Sequence, residues 1–235
     1  RHRTMTSPHR KPILLVARGL DPVGAGRQIE LAAAGLLAAG RDVHLAVTTT
    51  GGSLPGRLAA AGCTVHRVGR RPVVDLAAVA GLVAVAARLR PAVAFGWGRS
   101  QVSAVAAVRL AVPGARGLAW LARDVRGARL AAGLRRLDAV VAAAPAAAES
   151  CRRLGVAGRR LEVIPPGSPP PEASARSRDE IAARLGLDPA RAWTLCVAPL
   201  EAESRLDRLA WAIDQLGVVR KDLQHVLVGA GPLLG

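Results

Sequence analysis

The chain has 235 residues, 51% of them apolar, with 33 basic against 17 acidic side chains and a net charge of +16. That length holds one large or two modest domains with a real core, and that apolar fraction excludes intrinsic disorder. One Phe, four Trp and no Tyr are too few rings for a nucleic-acid stacking platform.

From the start, the basic segment 1–12 reads as disordered, and its polar character excludes a secretory signal. Residues 13–17 form a short apolar run, the first strand. A glycine loop, 18–26, and a helix to about residue 39 follow, with Gly40 placed as its terminator. A second strand covers 43–47, a Gly/Thr loop 48–55 and a short helix 56–61. The third strand covers 64–68 and a helix 75–89, with Asp75 near its N-terminus, where a carboxylate favours the dipole. Pro91 introduces a fourth strand over 92–95 and the loop Gly96-Trp97-Gly98-Arg99-Ser100. A helix over 101–110, a strand near 117–121, a basic helix over 125–134, a strand over 139–143, a helix over 146–154 and a strand over 161–164 complete the first half. Short all-apolar strands alternating with helices of 3.6 period predict an open, mostly parallel α/β sheet covered on both faces.

The Pro-rich segment 165–177 reads as a semi-rigid linker. It lies where the charge balance changes. Residues 1–160 carry 25 basic and 7 acidic side chains, a net +18; residues 161–235 carry 8 and 10, a net −2. Arginine outnumbers lysine 31 to 2, so part of the excess reflects codon bias. What is left suits an anionic partner such as lipid headgroups. Beyond the linker, a helix over 178–185 precedes a closing crossover unit: apolar run 193–198, helix spacing at Leu206, Leu209, Ala210, Ile213 and Leu216, apolar run 225–228, and the loop Gly229-Ala230-Gly231-Pro232. Such units place ligands at the carboxyl ends of their strands.

Three scattered cysteines predict neither a disulfide framework nor a metal site, which fits a reducing compartment. No run is apolar and long enough to span a bilayer. Gly24-Ala25-Gly26 between strand and helix suggests a dinucleotide loop, but Ile29 stands where the third glycine belongs and Thr48-Thr49-Thr50 where an acid belongs, which argues against NAD. The loop still offers free N–H groups at a helix start to an anion or a sugar hydroxyl. Trp97 is read either as a stacking surface for an acceptor ring or as a loop anchor. Asp124 is read either as a base or hydroxyl acceptor or as the cap of the following helix. The histidines His44 and His66, within strands, read as structural.

Several segments together resemble one family. Residues 24–28 and 36–44 resemble its glycine loop, first helix and second strand. Leu137-Asp138-Ala139-Val140-Val141-Ala142 resembles its "ADRVIAVS" strand, and residues 151–156 followed by 161–167 resemble its "LGV…V-I-P-N/P-G" entry to the inter-domain linker. Arg184-Leu185-Gly186-Leu187 and residues 228–233 resemble the helix and "VGDGPL" loop of its nucleotide-sugar domain. The chain thus resembles the first part of a bacterial GT-B glycosyltransferase of the family-four type. The resemblance implies two Rossmann-like parallel-sheet domains: an acceptor-type domain over 13–164 and the beginning of a nucleotide-sugar domain over 178–235, the second incomplete. It implies a nucleotide-diphospho-sugar as substrate and a glycan or lipid-linked acceptor; the basic first half suits an acceptor at the inner membrane face of a cytoplasmic protein, and no metal is indicated. The implied acceptor-side residues are Gly24, Gly26, Trp97 and Asp124; the donor-side residues are Arg205, Gly229 and Gly231.

The family's donor site carries an Arg and a Lys five residues apart, cations that neutralise the leaving diphosphate. Pro199 and Ser204 stand at the matching positions, with Arg205 adjacent, and Ala230 replaces an Asp. The expectation is therefore a partial chain or truncated product, inactive by itself. The alternatives are a degenerate GT-B binding module without transfer chemistry or, on the same architecture, a sugar-nucleotide epimerase.

Overall fold

A computed structural model describes residues 11–19, 24–169 and 176–233. The expected disordered start, up to residue 10, and the middle of the Pro-rich linker lie outside the described residues. The chain divides into two compact units, Arg1–Ser168 and Pro169–Gly235.

In the first unit the order is β1 (Ile13–Ala17), α1 (Ala25–Ala38), β2 (Val43–Val47), α2 (Leu54–Ala60), β3 (Thr64–Arg67), α3 (Leu76–Leu89), β4 (Val93–Trp97), α4 (Val102–Ala111), β5 (Arg116–Leu121), α5 (Ala128–Arg135), β6 (Ala139–Ala142), α6 (Pro145–Arg153) and β7 (Leu161–Val163). All seven strands are parallel, in the spatial order β3-β2-β1-β4-β5-β6-β7. β1 is buried at all five positions, as a central strand covered on both faces must be. Leu14, Val16, Ala46 and Ala119 pack with Leu82 of α3, Val105 of α4, Leu134 of α5 and Cys151 of α6. On the other face Ile13, Leu15, Val43 and Leu45 pack with Ile29 and Ala33 of α1 and Leu54 and Leu58 of α2. The split follows from right-handed crossovers: the two connections that move toward β3 lie on one face, and those that move toward β7 lie on the other.

The local ends follow the sequence. After α1, Gly40 adopts φ 66°, its N–H bonds Leu37 O at 2.9 Å and that of Arg41 bonds Leu36 O at 3.0 Å, the paired closure of a Schellman end. Asp75 caps α3 by accepting from the Ala78 N–H at 2.8 Å. Asp138 accepts from Gly117 N and Arg109 Nε, both at 2.8 Å, tying β6 to β5 and α4. Burial raises the pKa of this carboxyl, but the Gly117 N–H and the guanidinium outweigh it and hold it low.

Among the boundaries that differ from expectation, two change how a residue is read. β4 runs through Trp97, with Trp97 opposite Trp120 in register, so Trp97 is a strand residue rather than a loop residue. Gly96 is not there for a turn: a Cβ would meet Val105 Cγ2 at 2.8 Å, so glycine lets α4 close on the strand. The basic helix begins at Ala128, not 125, because Gly127 with φ 108° sets the chain's entry into it.

The second unit holds α7 (Arg178–Leu185), β8 (Ala192–Val197), α8 (Leu206–Val219) and β9 (Leu223–Val228), with β8 and β9 parallel. α7 opens with a reciprocal Ser177–Glu180 capping box. The last strand starts two residues earlier than its apolar run because Leu223 pairs with Ala192.

Candidate functional site

In the first unit's sheet, β1 connects outward to β2 on one side, while β4 on its other side leads away toward β5. The strand order reverses between β1 and β4, and ligands of open parallel sheets bind outside the carboxyl ends at that reversal. The loops after β1 and β4 flank it, which brings the sequence-predicted Gly24, Gly26 and Trp97 to one edge.

Gly24 is the N-cap of α1 with φ 51° and ψ −117°, a conformation suited to glycine, and no side-chain cap occupies the helix start. Gly26 is buried in the first turn of α1. Around this loop the backbone is tied by buried polar groups that sequence reading missed. Thr48 and Gln101 are fully buried; the Thr48 hydroxyl lies 3.1 Å from Ala17 O and 3.0 Å from Gln101 Oε1. Gly19 N donates to Thr49 Oγ1 at 2.9 Å. A polar residue directly after an apolar strand is the signal that would have found both threonines. Gln28, on α1, donates to Gly167 O at 2.8 Å and accepts from Gly167 N at 2.7 Å, binding the helix to the start of the linker.

Trp97 is 6% exposed, its ring 4.3 Å from that of Phe95 and 6.1 Å from that of Trp120. Its geometry is that of an anchor. Nε1 is buried and unpaired among the described residues, so the ring offers a ligand neither a stacking face nor an exposed donor. Asp124 follows β5 and does not cap α5, whose N-cap is Gly127. It accepts from Arg126 Nε at 3.0 Å and lies 3.5 Å from Arg153 Nη2. The hydrogen bond from Arg126 chiefly lowers its pKa, which makes it a poor base and a good acceptor.

In the second unit the loops after β8 and β9 run side by side. Leu200 N donates to Ala230 O at 2.9 Å and Leu233 N to Leu200 O at 3.0 Å. A Cβ on Gly229 would sit 2.0 Å from Ala198 O, and one on Gly231 2.3 Å from Leu200 O, so both glycines permit this approach of backbones. Pro199 is exposed, as is Arg205. Arg205 is the N-cap of α8 in the left-handed conformation (φ 50°, ψ 42°) and pairs with Asp207 at 3.4 Å; its hydrogen bond is the main cause of the lowered Asp207 pKa. Each unit thus has its candidate residues at strand carboxyl ends, next to a helix N-terminus. Among the described residues, no group of three His, Cys, Asp or Glu could hold a metal ion, and no helix is long and apolar enough to cross a membrane.

No protein-family model and no curated protein matches the chain. Solved structures match it. HepE of Anabaena, in complex with UDP and glucose, superposes with a TM-score of 0.70 at 16% identity, over 95% of this chain and 62% of that one. Sucrose-phosphate synthase from Thermosynechococcus elongatus gives 0.68 at 18% identity, over 94% of this chain and 62% of that one. UDP-N-acetylglucosamine 2-epimerase from Rickettsia bellii gives 0.51 at 10% identity, over 94% and 62%. At these identities the likeness defines the fold: the chain has the GT-B glycosyltransferase fold, with two Rossmann-like parallel-sheet domains. It spans 62% of the length of HepE in that complex.

Proposed function

We propose that the chain is part of a family-four-like bacterial glycosyltransferase that moves a hexose from a nucleotide-diphospho-sugar to a glycan or lipid-linked acceptor. The observation that carries this reading is the pair of carboxyl-edge sites on a GT-B fold that HepE shares in its UDP complexes. In this reading Gly24 and Gly26 present backbone N–H groups to the acceptor side, Trp97 backs this edge as an anchor, and Asp124 accepts hydrogen bonds. Gly229 and Gly231 let the β9 loop approach the donor, and Arg205 supplies positive charge to the diphosphate as the glycosidic bond breaks. The strongly basic first unit suits a protein of the cytoplasm whose acceptor lies at an anionic membrane face.

Pro199 and Ser204 favour a second reading, a binding module on the same fold that holds a nucleotide-sugar without transferring it. Neither side chain can neutralise a diphosphate, and Arg205 is already paired with Asp207. Calorimetric titration with UDP- and GDP-sugars tests the shared claim. Saturable heat is expected with one of them, and Arg205→Ala should weaken it about tenfold, the worth of one charge-assisted hydrogen bond. No heat with any nucleotide-sugar would overturn both readings. Heat accompanied by sugar transfer in the full-length protein would select the first reading, and heat without transfer in that full-length protein the second.

A further inference from the structure

In the first unit an arginine follows closely on the carboxyl ends of the central strands. Arg18 comes directly after β1, Arg99 just after β4 and Arg123 just after β5, while Arg129 stands in the first turn of α5. All four are exposed. The carboxylates of the same loops are already engaged among the described residues. Asp75 accepts from the Ala78 N–H at 2.8 Å and lies 3.6 Å from Arg71 Nε; Asp124 accepts from Arg126 and lies near Arg153. The guanidinium groups of Arg99, Arg123 and Arg129 have no such partner among the described residues. The edge at which open parallel sheets take their ligands therefore carries unpaired positive charge and no unpaired negative charge among those residues. α5 has no acidic residue in its first turn to offset Arg129. A cation at a helix N-terminus opposes the dipole, a cost that a bound anion removes.

Two of these arginines, Arg18 and Arg129, line a groove of about 760 Å³ together with Ser100, Ser103, Val74 and Val79. Arg18 Nη2 donates to Pro72 O at 3.1 Å, which holds the side chain in place and leaves its other N–H groups for a ligand. Two guanidinium forks and two hydroxyls offer more donors than the two oxygens of a carboxylate can use. A phosphate group, with three strong acceptor oxygens and up to two charges, matches them. The groove is also too roomy for a phosphate alone, and its valines offer apolar wall to the C–H face of a sugar ring.

We infer that the acceptor of the proposed transfer is a phosphorylated sugar, its phosphate held by Arg18 and Arg129 with Ser100 and Ser103, and its ring lying against Val74 and Val79. The inference rests on the acceptor-side reading of this edge and names the chemical class that the edge selects. Such a phosphate belongs either to a free sugar monoester or to the diester that joins a glycan to a lipid.

The test is a titration of the ¹⁵N-labelled chain with four probes: a hexose monophosphate, the methyl phosphodiester of the same hexose, the hexose itself and inorganic phosphate. Saturable amide shifts at Ser100, Ser103 and Arg129 are expected with the monoester, the diester or both, and which of them binds identifies the source of the phosphate. The hexose should leave these amides unmoved, and inorganic phosphate should bind at least severalfold more weakly than the hexose phosphate. The double variant R18Q/R129Q should lose at least about tenfold in affinity, since each guanidinium contributes a charge-assisted contact. R88Q/R159Q removes the same charge from exposed positions away from this edge and should bind as the parent does. An unchanged urea midpoint certifies the fold of each variant. If neither hexose phosphate moves the three amides, if inorganic phosphate binds as tightly, or if R18Q/R129Q binds like the parent, the assignment is overturned while nucleotide-sugar binding can still stand. If a hexose phosphate binds here and no nucleotide-sugar binds, the sugar-phosphate site stands and the transferase reading falls.

Discussion

Gly19 is the residue whose role is most physical and least visible in the sequence. It lies in the loop that also contains Gly24 and Gly26, where the Gly-Ala-Gly pattern draws attention away from it. In the structure a Cβ at Gly19 would sit 2.1 Å from Gly51 O, so the loops after β1 and β2 can touch only through glycine. Replacing it with alanine should destabilise the first unit by about 1–3 kcal/mol, the usual cost of forcing a methyl group into a closed contact. Urea denaturation followed by circular dichroism checks this, and an unchanged midpoint would show that the loops can part without cost. Trp97 teaches the opposite lesson. Its neighbours Gly96 and Gly98 read as loop residues, yet Gly96 serves helix packing and only Gly98, at φ 87°, turns the chain. One glycine needed for space and one needed for conformation look the same in a sequence.

The elements themselves were legible where a period and a stop signal agree. β1, with five buried apolar residues, and α1, ended by Gly40, appear where apolar pattern and glycine put them. α5 was misplaced by three residues because Val125 and Arg126 continue a helical pattern that Gly127 interrupts. β2 and β3 were located correctly, but the cross-strand pair they create was invisible, since register is not written in either strand alone. His44 Nδ1 lies 2.8 Å from His66 Nε2, the rings stack at 5.1 Å, and His44 Nε2 lies 3.2 Å from Asp42. Burial first, and the neighbouring His44 second, lower the His66 pKa. A lowered histidine pKa means that the unfolded chain binds the proton more readily. The folded state keeps its full stability above the unfolded value of about 6.5 and loses it as pH falls. Stability should therefore drop between about pH 7.5 and about pH 5.5, and His66→Gln should flatten that dependence. Equal slopes in the parent protein and the variant, measured by urea titration at both pH values, would refute the pair's role.

For the whole molecule, sequence patterning pointed to parallel α/β architecture, and the solved GT-B structures agree with it despite identities of 10–18%. Fold is legible at that distance because it needs only apolar strands, helices and glycines in order. A site needs particular side chains at particular points, and here the donor side departs from pattern at Pro199 and Ser204. What remains is a backbone arrangement: two loops in register through Gly229 and Gly231, beside the arginine that starts α8. The central claim is that this arrangement receives a nucleotide-diphospho-sugar. Backbone amide shifts in a ¹⁵N-labelled sample, recorded while a UDP-sugar and then a GDP-sugar are titrated, test it most directly. The account predicts saturable shifts for one of them at Leu200, Arg205, Gly229 and Gly231. Saturation that leaves those four amides unmoved, or no shift with either nucleotide-sugar, would contradict it.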